Sequence, residues 1–121
     1  MKLIKITFIV FAFAGILASC EKEYFEKPKL DFSIPVSFST DLQPILTSKC
    51  AGSGCHDNSY PPNLLKDKSF SALWDGGYID TATPSLSNLM IRLNKDMPKG
   101  KLPQSDINKF EAWIIQGGKD N

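Results

Sequence analysis

Residues 50–56 have the sequence Cys50-Ala51-Gly52-Ser53-Gly54-Cys55-His56, which puts two thiols and one imidazole in a single short segment. The histidine is the only one in the 121-residue chain, and it directly follows the second cysteine. If both sulfur atoms add across the vinyl groups of a haem, the next residue is held against the porphyrin face, where an imidazole can ligate iron. The segment therefore predicts one covalent haem c, attached at Cys50 and Cys55, with His56 as an axial ligand.

The spacing between the two cysteines is longer than the usual haem attachment motif, which has two intervening residues. Here there are four, and all of them are Gly, Ala or Ser. Such residues can bulge outward without burying a polar side chain or forcing a β-branched residue to positive φ. Two other interpretations stay open: a Cys50-Cys55 disulfide in a non-haem binding protein, and a Cys/Cys/His metal site that lacks a fourth ligand.

The N-terminus has the features of a lipoprotein signal peptide over residues 1–19. Lys2 and Lys5 precede an apolar run, Ile6–Leu17, that is too short to span a bilayer. The tetrapeptide Leu17-Ala18-Ser19-Cys20 resembles a lipobox, which predicts cleavage before Cys20 and lipidation of that residue; an ordinary cleaved signal peptide is the alternative. The expected location is a membrane-anchored lipoprotein outside the cytoplasm, on the periplasmic face or the outer-membrane surface. Haem attachment through thioethers requires such a compartment, where thiols otherwise oxidise.

The charge of the remaining chain gives no indication of a nucleic-acid-binding surface. Without residues 1–19, 12 basic residues stand against 13 acidic ones, and only Arg92 is an arginine. Binding to nucleic acid would call for clustered Lys and Arg. Residues 20–35, with Pro28 and Pro35, predict a flexible spacer, and residues 36–121 the haem domain. A domain of this size buries little apolar surface, so a haem would help to complete its core.

Apolar residues recur at helical spacing in several segments of the domain. Thr40 and Gln43 fit a capping box that begins a helix over about Thr40–Cys50. Ser105 is expected to cap the last helix, and Gly117-Gly118 to end it. A short helix is expected over Phe70 to Trp74, and another after Ser85. The apolar stripes that support the longer helices are Leu42, Ile45 and Leu46; Leu86, Leu89, Met90 and Leu93; and Ile107, Phe110, Trp113 and Ile114.

No segment shows the sustained alternation of apolar and polar residues that a sheet requires, so the domain is expected to be all-α. Residues 36–118 resemble a class I cytochrome c domain, in the form found on small Bacteroidetes lipoproteins with the longer Cys-x₄-Cys-His spacing. The resemblance implies a small fold of short helices and long loops, in which the first and last helices cross, with Leu42 or Ile45 near Phe110 and Trp113. The segments that carry it are Phe38 to Leu46, Asp96-Met97-Pro98, and the last helix with Gly117-Gly118.

Met97 is the candidate for the second axial ligand of the haem iron. A thioether is a soft, neutral ligand, and Met97 lies in a polar loop that offers no other reason for an apolar residue. Met90 falls on an apolar stripe and is expected to pack in the core. With both axial positions filled, no site is open for a substrate, so the expected role is one-electron transfer and not enzymatic catalysis. The partner would be an unidentified redox protein, or a larger redox complex to which this chain is an accessory haem module.

Overall fold

The structure, a computed structural model, describes residues 31–98 and 102–121. Within these ranges 49% of the residues are helical and there is no strand, which confirms the all-α prediction. The predicted signal peptide (1–19), the lipidation residue Cys20 and the spacer as far as residue 30 lie outside the described residues. None of the helices in the described ranges is long and apolar enough to cross a membrane.

The first helix, α1, runs over Phe38–Cys50 and changes its hydrogen-bonding pattern twice. It consists of a π-helical turn at Phe38–Leu42, an α-helical turn at Gln43–Ile45 and a second π-helical turn at Leu46–Cys50. Pro44 stands in the middle turn, where it has no N–H to contribute to a regular α-helical ladder. The later elements are α2 (Ser69–Asp75), a 3₁₀ turn (Pro84–Leu86), α3 (Asn88–Lys95) and α4 (Gln104–Ile115).

The capping box predicted for α1 is wrong, because the residue that caps the helix is Ser37, three residues before the expected cap. Ser37 has extended backbone angles (φ −91°, ψ 132°), and its hydroxyl accepts from the Thr40 N–H. Asp41 closes the cap, since its carboxylate accepts from the Ser37 N–H at 2.8 Å. The Asn121 carbonyl oxygen and side chain accept from the first two N–H groups of the helix, at 2.9 and 2.8 Å. These are the groups that a helix cannot satisfy internally, so the end of the chain completes the start of α1.

A cluster of aromatic rings joins the first, second and last helices. Phe38 of α1 lies 5.2 Å from Trp113 of α4 and 5.3 Å from Phe70 of α2, measured between ring centroids. Phe70 meets Trp113 edge to face at 6.3 Å, a favoured arrangement for aromatic pairs. The contact between the first and last helices is therefore present and involves Phe38. The buried core consists of Phe38, Leu42, Leu46, Leu64, Leu73, Ile79, Leu89, Met90, Leu93, Leu102, Ile107, Phe110, Trp113 and Ile114.

The last helix confirms the predicted apolar stripe and stop, but its cap differs from the prediction. The Pro103 carbonyl accepts from the N–H groups of Asp106 and Ile107, so α4 begins before Ser105, and Ser105 lies within the helix. At the other end, Gly117 (φ 99°) and Gly118 (φ 58°) take left-handed backbone angles. Their N–H groups donate to the carbonyls of Ile114 and Trp113, at 3.0 and 2.9 Å, which is the Schellman arrangement.

The predicted stripe of α3 is confirmed for three of its four residues. Leu89, Met90 and Leu93 are buried, but Leu86 is 67% exposed. Leu86 belongs to the preceding 3₁₀ turn, and the chain bends at Ser87 (ψ 144°) before α3 begins. The bend takes Leu86 out of line with the α-helical stripe that follows.

The segment just before α1 is held against the end of α4 by one side chain. The Gln116 amide donates to the carbonyls of Phe32 and Ile34, and its oxygen accepts from the Val36 N–H at 2.9 Å. A cleft of about 260 Å³ lies beside this segment and is lined by residues that include Pro35, Trp113 and Lys119.

We expect Gly118→Ala to lower the free energy of unfolding by about 2–5 kcal/mol, because two costs combine at this position. A Cβ there would lie 2.8 Å from the Trp74 ring, and the backbone φ is +58°. The left-handed conformation costs a non-glycine residue about 1–2 kcal/mol, and overpacking about 1–3 kcal/mol. Gly77→Ala is the matched control, since Gly77 has φ +69° but no atom within 4 Å of the added carbon. Urea unfolding of both variants should show the larger loss at Gly118; equal losses would mean that the Trp74 contact carries no cost.

Candidate functional site

The segment that joins the two cysteines and the histidine forms a closed loop at the end of α1. The His56 N–H donates to the Cys50 carbonyl at 3.2 Å, across the whole insert, and the Cys55 N–H donates to the Gly52 carbonyl at 2.9 Å. Gly54 has φ 75°, a value that glycine adopts at little cost. The inserted residues Gly52 to Gly54 are exposed. The loop therefore accommodates its extra length outside the core, and its backbone brings Cys50 and His56 together.

Asp57, the residue after the histidine, holds this loop in place through hydrogen bonds. Its carboxylate accepts from the Gly54 N–H at 3.2 Å and from the Ser59 N–H at 3.1 Å. Hydrogen bonds from the Ser59 side chain, and then from these backbone groups, hold the pKa of Asp57 below its usual range. The carboxylate is thus ionised at neutral pH and ties the small-residue insert to the chain that follows the motif.

The His56 ring is oriented by backbone carbonyls that come after it in the chain. Its Nδ1 lies 3.1 Å from the carbonyl oxygen of Tyr60 and 3.1 Å from that of Pro62. A carbonyl can only accept, so Nδ1 must carry the proton and donate. In a neutral imidazole, Nε2 then holds the lone pair. Of the two neutral tautomers, this is the one in which Nε2 can ligate a metal or accept a proton.

The two cysteines are free thiols with different surroundings. Cys50, at the end of α1, is half-buried and packs against the core, whereas Cys55 is exposed. Burial, with a smaller contribution from repulsion by Cys55, raises the pKa of the Cys50 thiol to about 11. The thiol of Cys50 is therefore neutral at physiological pH, and Cys55 is the one that reagents in solution reach first.

Met97 belongs to a different segment, directly after α3. Its N–H donates to the Arg92 carbonyl at 3.0 Å, and its side chain is 43% exposed. No hydrogen bond among the described residues joins it to the loop of Cys50, Cys55 and His56. Met90, in contrast, is 1% exposed, which confirms that it is a core residue.

No group of three or more His, Cys, Asp or Glu side chains is arranged to hold a metal ion in residues 31–98 and 102–121. Cys50, Cys55 and His56 do not form such a group, although they are neighbours in the chain. The cleft beside Pro35 and Trp113 is not lined by any of the candidate residues.

The groups that orient His56 were not predictable from the sequence, because they are backbone carbonyls. Any residue type can supply a carbonyl, so the identities of Tyr60 and Pro62 carried little signal. Leu64 was not predicted either; it is buried, and its N–H donates to the His56 carbonyl at 2.8 Å. Leu64 thus closes a second loop, from the histidine back to the core.

No family model, curated protein or solved structure matches the chain.

The raised pKa of Cys50 predicts a slow reaction with alkylating reagents in the folded, haem-free protein. At pH 8 we expect iodoacetamide to modify Cys55 first, and Cys50 at least about tenfold more slowly than in the unfolded chain, since the thiolate is the nucleophile. Peptide mapping over time would measure both rates. Comparable rates for Cys50 in the folded and unfolded chains would contradict the burial of this thiol.

The raised pKa of Cys50 also makes the stability of the folded, haem-free protein depend on pH. The folded-state pKa of about 11 exceeds the ordinary value of 9.0, so the contribution of Cys50 to stability is present below pH 9.0 and lost as the pH rises toward 11. Cys50→Ala should lack this part of the alkaline loss in urea unfolding.

Proposed function

We propose that this protein is a membrane-tethered electron carrier with one haem c attached covalently to Cys50 and Cys55. The observation that carries the proposal is the His56 ring, held with Nδ1–H on backbone carbonyls so that Nε2 has the lone pair. Metal-binding histidines usually donate their other ring N–H to a carbonyl or carboxylate in this way, which sets the tautomer and raises the basicity of the ligand. A bound haem would supply a one-electron redox centre.

The cysteines fit the attachment role because both are free and are placed on either side of an exposed insert. Cys50 is anchored by its position at the end of α1, and Cys55 is tied to His56 by adjacency in the chain. Cys50 and Cys55 would hold the haem covalently, and His56 would ligate its iron.

We propose that Met97 would be the second residue to ligate the haem iron. Its thioether is exposed at the end of α3, outside the core that Met90 helps to fill. Both methionines are on one short stretch of chain, yet Met97 is 43% exposed and Met90 only 1%. With His56 and Met97 both engaged, the residues would exclude external ligands from the centre, which favours electron transfer over catalysis.

We also propose that the all-α fold is a class I cytochrome c-like architecture. It is supported by the contact of Phe38 in α1 with Trp113 in α4, since packing of the first helix on the last is what the resemblance implies. The proposed anchor at Cys20 would place the domain outside the cytoplasm, where haem attachment occurs and a redox partner could reach it.

The proposal predicts that the protein, produced with a c-type maturation system, carries one haem that survives denaturing electrophoresis. Thioether bonds are covalent, so unfolding does not release the group. Peroxidase-type haem staining of the gel band, together with pyridine haemochrome spectra, measures attachment. A Cys50→Ala and Cys55→Ala double variant is the control and should not stain. An unstained wild-type band with a Cys50-Cys55 disulfide would establish the non-haem interpretation instead.

Met97→Ala should leave the haem attached but remove one axial ligand. We expect a shifted reduction potential and binding of small external ligands such as imidazole or cyanide, followed by visible absorption. Met90→Ala is the matched control: it should cost about 2–5 kcal/mol of stability, as a buried truncation does, without changing the ligation. If Met90→Ala altered the spin state and Met97→Ala did not, the assignment of the second ligand would be wrong.

A further inference from the structure

The side chain of Gln43 is buried in α1, and every polar atom of its amide has a partner. It is 5% exposed. Its Nε2 donates to the Thr47 hydroxyl at 3.1 Å and to the Leu64 carbonyl at 3.4 Å, and its Oε1 accepts from the hydroxyl of Ser69, which is itself fully buried. With both N–H groups and the oxygen engaged, the amide cannot rotate without leaving a buried polar atom unsatisfied, which costs about 1–3 kcal/mol. Gln43 therefore holds Leu64 at a fixed place beside α1.

Leu64 links Gln43 to His56 through the hydrogen bonds of its backbone. While its carbonyl accepts from Gln43, its N–H donates to the His56 carbonyl at 2.8 Å. The residue two positions before it, Pro62, supplies one of the two carbonyls that accept from the His56 ring. The segment that orients the imidazole is thus fixed at its far end by a hydrogen bond from α1, and by the burial of the Leu64 side chain in the core.

We propose that Gln43 is a positioning residue for His56, acting through Leu64 on the hydrogen bond that the ring Nδ1–H donates. The ligand role of His56 rests on the proposed function, whereas the series of hydrogen bonds from Gln43 through Leu64 to the imidazole does not depend on it. Gln43 sets how firmly the Pro62 carbonyl is held against Nδ1. A firmer hydrogen bond makes the imidazole a more basic ligand, which stabilises the oxidised iron relative to the reduced form. Gln43 would therefore tune the potential of the centre without touching it.

The test compares Gln43→Met with Ser69→Ala in the full chain. Methionine has about the volume of glutamine but cannot donate to Leu64, whereas Ser69→Ala removes a hydrogen bond from the same buried cluster and leaves the donor to Leu64 in place. Both variants should lose stability. Only Gln43→Met should release the segment that holds the ring.

Two readouts apply to the haem-free chain and so do not depend on the proposed function. For Gln43→Met we expect amide exchange at Leu64 to become about tenfold faster relative to Gly118, whose N–H is bonded at the end of α4. We also expect the ¹⁵N shifts of the His56 ring to move toward a mixture of tautomers. In Ser69→Ala both values should stay near wild type. Equal changes in the two variants, or none in Gln43→Met, would overturn the proposal.

The haem-loaded chain supplies a third readout, the reduction potential, which a general loss of stability would not shift. We expect it to rise in Gln43→Met and to stay unchanged in Ser69→Ala. If the chain takes up no haem, the proposed function fails, but the amide-exchange and ¹⁵N measurements still test whether Gln43 positions His56. If Gln43→Met does not fold, Gln43→Asn keeps an amide but withdraws it by one methylene. The same changes are then expected, and wild-type values would overturn the proposal.

Discussion

The contact on which the rest of this small domain depends is the burial of the Trp113 ring between the first and second helices. Phe38 and Phe70 pack on it from α1 and α2, and its indole N–H donates to the Lys119 carbonyl at 2.8 Å. One side chain thereby joins two helices to the segment that follows α4, which matters in a domain of this length because its core is small. Asn121, which caps α1, lies two residues after Lys119 on the same segment.

The candidate site lies between two points of this core. Leu46, in the last turn of α1, is fully buried just before Cys50, and Leu64 is buried where the chain re-enters the core after His56. Because both ends are fixed, the intervening segment can be shaped by short-range hydrogen bonds alone, from the Asp57 carboxylate and from backbone carbonyls to the imidazole. A rigid support with an exposed loop is the arrangement in which a chain can hold two thiols close to a histidine and still keep its ring in a single tautomer.

The helical stripes were predictable because their information is local. Leu89, Met90 and Leu93, like the stripe of α4, recur at 3.6-residue spacing, and burial of one helical face follows from that pattern wherever the helix packs. The Gly117-Gly118 stop was predictable for a similar reason, since glycine is the residue that adopts left-handed angles without strain. The caps at Thr40 and Ser105 were predicted incorrectly. Several neighbouring residues can accept from the first N–H groups of a helix, and the sequence does not show which of them does so.

By itself, the sequence determined that the domain is all-α, which faces of α3 and α4 are apolar, and that the two thiols and the only histidine share one segment. Only the tertiary structure decided the partners of its polar groups. Gln43, which fits a capping pattern along the chain, instead meets Ser69 and Leu64, 26 and 21 residues away. The physical reason is that a hydrogen bond has to be satisfied by whatever atom lies within about 3 Å after packing. That atom is often a carbonyl, which every residue has and no sequence pattern marks.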